Sequence, residues 1–176
     1  MKPKILLVAC SIRSVGDLVA GCNTEIALGS VKEGIKGLAD VEYVRLNRWF
    51  LPDGSLKNED MLIDAIKESD GIIFASPCYF GMPNSLFQDL IKILAEKKVD
   101  LYPKVVGFVS VGAKRNGGEE TQIVWSAWDI MGLGAIVVND GAPISQFGGV
   151  VVAGTKGQAK YDREGLEVCR YLGRRI

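Results

Sequence analysis

Two kinds of segment alternate along the chain: short, almost unbroken apolar runs, and longer stretches whose apolar residues recur at helical spacing. Residues 5–9 are the first continuous run, the pattern of a strand buried on both faces. Asn23 and Thr24 can then cap a helix whose apolar positions are Ile26, Ala27, Val31, Ile35 and Leu38. Residues 41–46, 71–76, 105–111 and 135–138 predict four further strands. Residues 47–58 hold Pro52, Asp53 and Gly54 and read as a loop, after which Met61, Leu62, Ala65 and Ile66 mark a second helix. Residues 83–97 predict a third helix, with Pro83 suited to its opening turn, and residues 119–131 a fourth. A glycine-rich excursion over 140–157 precedes a short final helix, and irregular stretches of that length often carry function.

Strand and helix in alternation, with strands apolar throughout, imply a parallel sheet covered on both faces. Five such units predict an α/β, flavodoxin-like three-layer sandwich: a five-stranded parallel sheet in the order 2-1-3-4-5. The chain has 176 residues, 48% of them hydrophobic. That is enough for one sizeable core and short for two, so residues 1–176 are read as a single domain.

Composition then removes whole classes of chemistry. With 21 basic and 21 acidic side chains there is no electrostatic footprint for nucleic acid or an anionic membrane, nor the strong acidity of some electron carriers. The chain has no histidine, which excludes Ser-His-Asp hydrolysis, Cys-His catalysis and histidine-ligated metals. Its cysteines, Cys10, Cys22, Cys78 and Cys169, form no Cys-x-x-Cys or other compact set for an iron–sulfur cluster or zinc. The N-terminus shows no secretory leader pattern, and no apolar stretch approaches the roughly 20 residues that span a bilayer. The expectation is a cytoplasmic protein whose chemistry comes from a bound cofactor.

Ser76-Pro77-Cys78-Tyr79-Phe80-Gly81 follows the third strand run, where an open α/β sheet places its ligand loops. This loop, with Asp70 to Phe74 before it and Leu86, Phe87 and Leu90 after it, resembles the second flavin loop of the NADPH-dependent FMN reductase and flavodoxin-like NAD(P)H:quinone reductase group. Ser11-Ile12-Arg13 with Gly21 to Glu25 resembles that group's phosphate loop, and Val111-Gly112 with Gly117-Gly118-Glu119-Glu120-Thr121 its third loop. Gly148-Gly149 and the stretches 162–166 and 172–175 resemble its C-terminal segments.

The resemblance implies FMN as cofactor, with NADPH or NADH as electron donor. Ser11, Asn23 and Thr24 would meet the phosphate with hydroxyls and a helix N-terminus, and Ser14 has the same chemistry. Arg13 would add a charged contact or lie over the ligand as a lid. Pro77, Cys78, Tyr79, Phe80 and Gly81 would face the ring, by backbone groups and stacking, and Val111, Gly112, Gly117 and Gly118 would approach it closely. Lys114 and Arg115 would either stabilise charge on the reduced ring or stand as solvated loop charges. Cys78 has no adjacent cation to activate it, so its thiol is read as a packing group. The chain departs from the family in inserting Val15 to Ala20 between Arg13 and Gly21 and in carrying Ile12 where proline is common; Asp17 is expected to face solvent.

Two weaker patterns carry nothing. Gly132-Leu133-Gly134 opens no dinucleotide fingerprint, and Gly154-Thr155-Lys156-Gly157 is not a P-loop. Trp49, Phe50, Trp125 and Trp128 are read as core or subunit contacts. The function implied is an NAD(P)H-dependent FMN or quinone reductase with a small-molecule electron acceptor, no nucleic-acid or membrane partner and a homodimeric or homotetrameric assembly. Two alternatives remain open: a non-catalytic electron-transfer module for a protein partner, and a member that has lost FMN and serves as a binding subunit.

Overall fold

The computed structural model describes residues 2–12, 22–51, 53, 55–144 and 146–176. Its strands are β1 (Lys4–Ala9), β2 (Asp40–Arg45), β3 (Gly71–Pro77), β4 (Val105–Gly112), β5 (Ile136–Val137) and β6 (Gly149–Val152). The helices are α1 (Asn23–Ile35), α2 (Glu59–Glu68), α3 (Ser85–Glu96), α4 (Glu119–Gly132) and α5 (Arg163–Arg175), with single 3-10 turns at Leu46–Arg48 and Gln158–Tyr161. All pairings are parallel and the order is β2-β1-β3-β4-β5, as the alternation of elements predicts.

Strand β1 shows why the apolar runs are continuous. Ile5, Leu7 and Ala9 face the core layer of α1 and α5, while Leu6 and Val8 face the layer of α2, α3 and α4. Neither face meets water, so no polar alternation develops. Phe74, Phe87 and Phe108 fill the second layer, with Phe74 edge-on to Phe87 at 5.4 Å and stacked on Phe108 at 6.0 Å.

Three expectations are corrected here. The sheet has a sixth strand: β5 pairs with Val105 and Val106 at the start of β4, and β6 pairs with Val109 to Gly112 at its end. The fifth row of the sheet is thus split, and the excursion read as irregular contains its second half. A four-residue strand flanked by glycines gives too short a run to register as a strand beside the longer ones. Pro83 lies outside α3, because Asn84 is the better cap and its side chain accepts the Leu86 amide at 2.7 Å. The final helix is not short but spans 13 residues.

Helix α5 docks on α1 at backbone distance. A Cβ on Gly34 would overlap the Arg170 carbonyl, and one on Gly173 would overlap the Val31 carbonyl. Arg170 adds an ion pair to Glu33 at 2.8 Å across the same contact. Asp162 ties α5 to the sheet, its carboxylate accepting the Gly165 amide at the helix cap (3.2 Å) and the Val152 amide of β6 (2.6 Å). The last turns of α1 are therefore fixed from behind by an element at the other end of the chain.

Candidate functional site

At the carboxyl ends of β1, β3, β4 and β6 the following segments leave the sheet around one crevice of about 200 Å³. It brings together Ser11, Asn23, Thr24, Pro77, Cys78, Tyr79, Val111 and Gly112 from the sequence-derived set. It adds Cys22, Ala113, Ala153, Gly154, Thr155 and Lys156, which the sequence reading did not select. Phe80, Gly81, Gly117 and Gly118 do not line it, and Arg13, Ser14, Asp17 and the 15–20 insertion lie outside the described residues.

The aromatic loop is a tight hairpin. Tyr79 and Met82 exchange both backbone hydrogen bonds at 3.0 Å, and Phe80 and Gly81 between them have φ of 54° and 78°. Two consecutive positive φ values are the signature of a type I′ turn, which favours Asn or Gly at both positions. Phe80 holds this left-handed conformation with its ring fully exposed. It is thus turned away from the crevice, while Tyr79 beside it lines the wall. The loop is secured from beneath by buried polar groups: the Asn84 amide donates to Ser76 Oγ (2.9 Å), Ser110 Oγ donates to Gln122 Oε1 (2.6 Å), and Gln122 Nε2 reaches the Ser76 carbonyl at 3.5 Å. No sequence pattern marked Gln122, because its role appears only once α4 lies across β3 and β4.

The first loop meets α1 differently from expectation. Cys22, not Asn23 or Thr24, occupies the cap position, and its amide donates to Glu25 Oε2 at 3.2 Å. Asn23 is drawn instead to a segment 132 residues away: its Nδ2 donates to the Thr155 carbonyl (2.8 Å) and its Oδ1 accepts the Ala159 amide (3.1 Å). Glu25 is fully buried, ion-paired with Arg45 at the end of β2 and accepting the Tyr43 hydroxyl at 2.8 Å. A bare carboxylate this close to the helix start would oppose an anion; the guanidinium offsets it.

Ser11 is 5% and Thr24 2% exposed, and among the described residues neither hydroxyl takes a hydrogen-bond partner. The Asn23 and Thr24 amides likewise have no intrahelical acceptor, whereas the Glu25 amide already donates to the Cys22 carbonyl at 3.0 Å. Two unpartnered hydroxyls, two free amides and a helix N-terminus at one cavity suit an anionic group.

The third loop is closed by a buried carboxylate. Glu119 is fully buried, and its Oε2 accepts the Gly117 amide at 2.7 Å. Its other oxygen rests over Gly112, where a Cβ would occupy the same space. A Cβ on Gly118 would fall 2.8 Å from Gly81 Cα, so these two glycines let the aromatic and third loops touch. Gly117 and Gly118 thus shape the wall from behind rather than face the cavity. Arg115 points to α5, pairing with Asp162 at 3.2 Å and Glu164 at 3.8 Å.

Cys78 continues the β4 contact, its amide donating to the Val111 carbonyl at 2.9 Å. Partial burial pushes its thiol above the ordinary range, with further unfavourable charge from Glu119 and Glu120, so it is no activated nucleophile. Cys10, Cys22 and Cys169 are buried, and among the described residues no group of three or more His, Cys, Asp or Glu is arranged to hold a metal ion. Trp125 and Trp128 form an edge-on pair at 5.0 Å on the exposed face of α4, while Trp49 and Phe50 pack on the core. A larger groove of about 800 Å³ runs along α1, α5 and the first residues of β2. It lies away from the ends of the strands that carry the loops.

The crevice is below the roughly 300–1,000 Å³ of a complete small-molecule pocket and has room for one end of a larger ligand. An anionic end among the hydroxyls and a flat end against Tyr79 match the two chemistries of FMN.

Comparison with known proteins agrees with this geometry. The family model described as NADPH-dependent FMN reductase matches residues 3–149. An iron–sulfur flavoprotein of Methanocaldococcus jannaschii is 38% identical over 119 residues, covering 66% of this chain and 62% of that protein. The chain spans about three-fifths of the length of the curated relatives it matches. A WrbA-like flavodoxin from Agrobacterium tumefaciens aligns with TM-score 0.69 and 18% identity, covering 99% of this chain and 95% of the other. The NAD(P)H:quinone oxidoreductase from Methanothermobacter marburgensis gives TM-score 0.69 at 11% identity, covering 99% and 96%. These two likenesses show the shared flavodoxin-like fold.

Proposed function

This chain belongs to the NADPH-dependent FMN reductase family, and on that footing we propose that it binds FMN in the crevice and acts as an NAD(P)H-dependent flavin oxidoreductase. The observation that carries this reading is that Ser11, after β1, and Thr24, at the start of α1, are largely buried residues with hydroxyls that take no hydrogen bond among the described residues and line the same crevice as Tyr79. When bound, FMN would supply the ring that accepts a hydride and passes electrons on. Ser11, Thr24 and the first α1 amides hold its phosphate. Tyr79 stacks on the ring, and the 77–78 and 111–113 backbones supply polar groups to its edge. The hairpin of Tyr79 to Met82 bounds the space left for the nicotinamide and then for a quinone or another small-molecule acceptor. The complex would be homodimeric or homotetrameric.

A second reading is favoured by the names of the curated relatives. Those proteins are called iron–sulfur flavoproteins, which suits an electron carrier that exchanges with a protein partner instead of free NAD(P)H. The deciding experiment is an anaerobic absorbance titration. Purified protein is loaded with FMN, desalted, and mixed with NADPH or NADH and then a quinone. Retained flavin that is bleached by a nucleotide and recovers with quinone is the expected result. Retained flavin bleached by neither nucleotide, but reduced by dithionite, would establish the carrier reading. Failure to retain FMN would remove both.

A further inference from the structure

Among its described lining residues the crevice carries one charged side chain, Lys156. The turn that bears it follows β6 and is braced on both sides. Asn23 grips Thr155 and Ala159 by its two side-chain atoms, at 2.8 and 3.1 Å. Gln158 closes the turn, its Oε1 accepting the Thr155 amide at 3.1 Å and its own amide donating to the Thr155 carbonyl at 3.2 Å. The Asn23 contact ties the turn to the start of α1, beside Thr24, and both Thr24 and Ser11 line the same crevice. A braced turn thus puts a lysine on the wall of the crevice that Ser11 and Thr24 also line.

We propose that Lys156 is the cation that meets the phosphate of bound FMN, so that discrimination between FMN and riboflavin depends on a turn near the far end of the chain. The proposal rests on the FMN reading given above. A lysine suits the position because an ammonium on a flexible stem acts as a point charge and needs no planar fork. Among the described residues, two nearby cations are engaged elsewhere. Arg115 is paired with Asp162 and Glu164, and Lys160 lines the separate groove beside α1 with its ammonium 4.9 Å from the Tyr161 ring centre. The family match ends at residue 149, before this turn, so Lys156 is a feature of this chain outside the matched segment.

The test compares FMN and riboflavin binding by flavin fluorescence in the wild-type protein, Lys156→Gln and Lys160→Gln, two variants with the same change in charge. A charge-assisted contact predicts that Lys156→Gln weakens FMN about tenfold, leaves riboflavin unchanged and flattens the salt dependence of FMN binding. Lys160→Gln should keep the wild-type FMN to riboflavin ratio. An unchanged ratio in Lys156→Gln overturns the proposal, and so does an equal loss in both variants, which would reduce the effect to overall charge. A wild-type protein that binds neither flavin would instead remove the FMN reading, and the proposal with it.

Discussion

Ser76 and Asn84 stand eight positions apart and are joined at 2.9 Å, the Asn84 amide donating to the Ser76 hydroxyl. The loop that carries Tyr79 therefore leaves and returns to one point at the end of β3. Both residues are buried, so the Asn84 amide has no water to turn to if the hydroxyl is removed. Ser76→Ala should cost about 1–3 kcal/mol in urea unfolding. It should also weaken FMN, because the loop loses its closing contact; an unchanged unfolding midpoint would show that the amide finds another acceptor.

Phe80 predicts an effect of the opposite sign. Its left-handed backbone costs a residue with a Cβ roughly 1–2 kcal/mol, and its fully exposed ring recovers nothing by burial. Phe80→Gly should leave stability unchanged or raise it by up to about 1 kcal/mol, since the relief of strain is partly offset by glycine's greater entropy when unfolded. If the ring serves the acceptor, the same variant will reduce quinone turnover with FMN affinity intact. Loss of stability would mean that Phe80 is covered in the working assembly.

Tyr79 separates cofactor stacking from wall building. Tyr79→Ala should weaken FMN by roughly 0.5–1.5 kcal/mol if the ring stacks on the flavin beyond simple burial. Unchanged affinity in a folded variant would exclude it from the site.

Much of this architecture was legible because it rests on local signals. The runs at 5–9, 71–76 and 105–111 are apolar because both sheet faces are covered, and they appear as β1, β3 and β4 with ends shifted by a residue. The crevice loops were legible for the same reason: they follow the strands whose ends position them. What escaped depends on residues distant in sequence. Asn23 reads as a cap in isolation, yet Thr155 and Ala159 claim its side chain. The sequence around Lys156 offers only an incomplete P-loop pattern, and nothing near it signals that its turn folds back to α1. Nothing local to Arg45 announces that Glu25 lies against it.

That last pair yields a double-mutant prediction. Arg45→Met leaves the Glu25 carboxylate buried without its cation and should cost about 3–5 kcal/mol. Adding Glu25→Gln removes the charge, so the double variant should be more stable than Arg45→Met alone. Chemical denaturation of the single and double variants measures the coupling, and simple additivity of the two losses would contradict it.

Stability should fall in alkali. Burial pushes the Cys10 and Cys169 thiols far above their ordinary value of 9.0. Below that pH the thiols are protonated in both folded and unfolded chains, and their contribution is fully present. As pH rises past it, the unfolded chain releases protons that the native state retains, so unfolding becomes more favourable. Urea midpoints should therefore decline above about pH 9, and Cys169→Ala should decline less steeply. A midpoint that rises over this range would contradict the assignment.

The split fifth row of the sheet gives the molecule unequal tolerance to insertion. Residues 138–148 carry the chain out of β5 and back into β6 across a step of only Gly107 and Phe108 on β4. The two halves are each registered against β4 on their own, so added length between them would lengthen the detour and leave the pleat unchanged. The turn after β6 has no such slack. There, one extra residue between Thr155 and Ala159 would pull the two ends out of the reach of a single asparagine and swing the lysine off the crevice, while every strand kept its place.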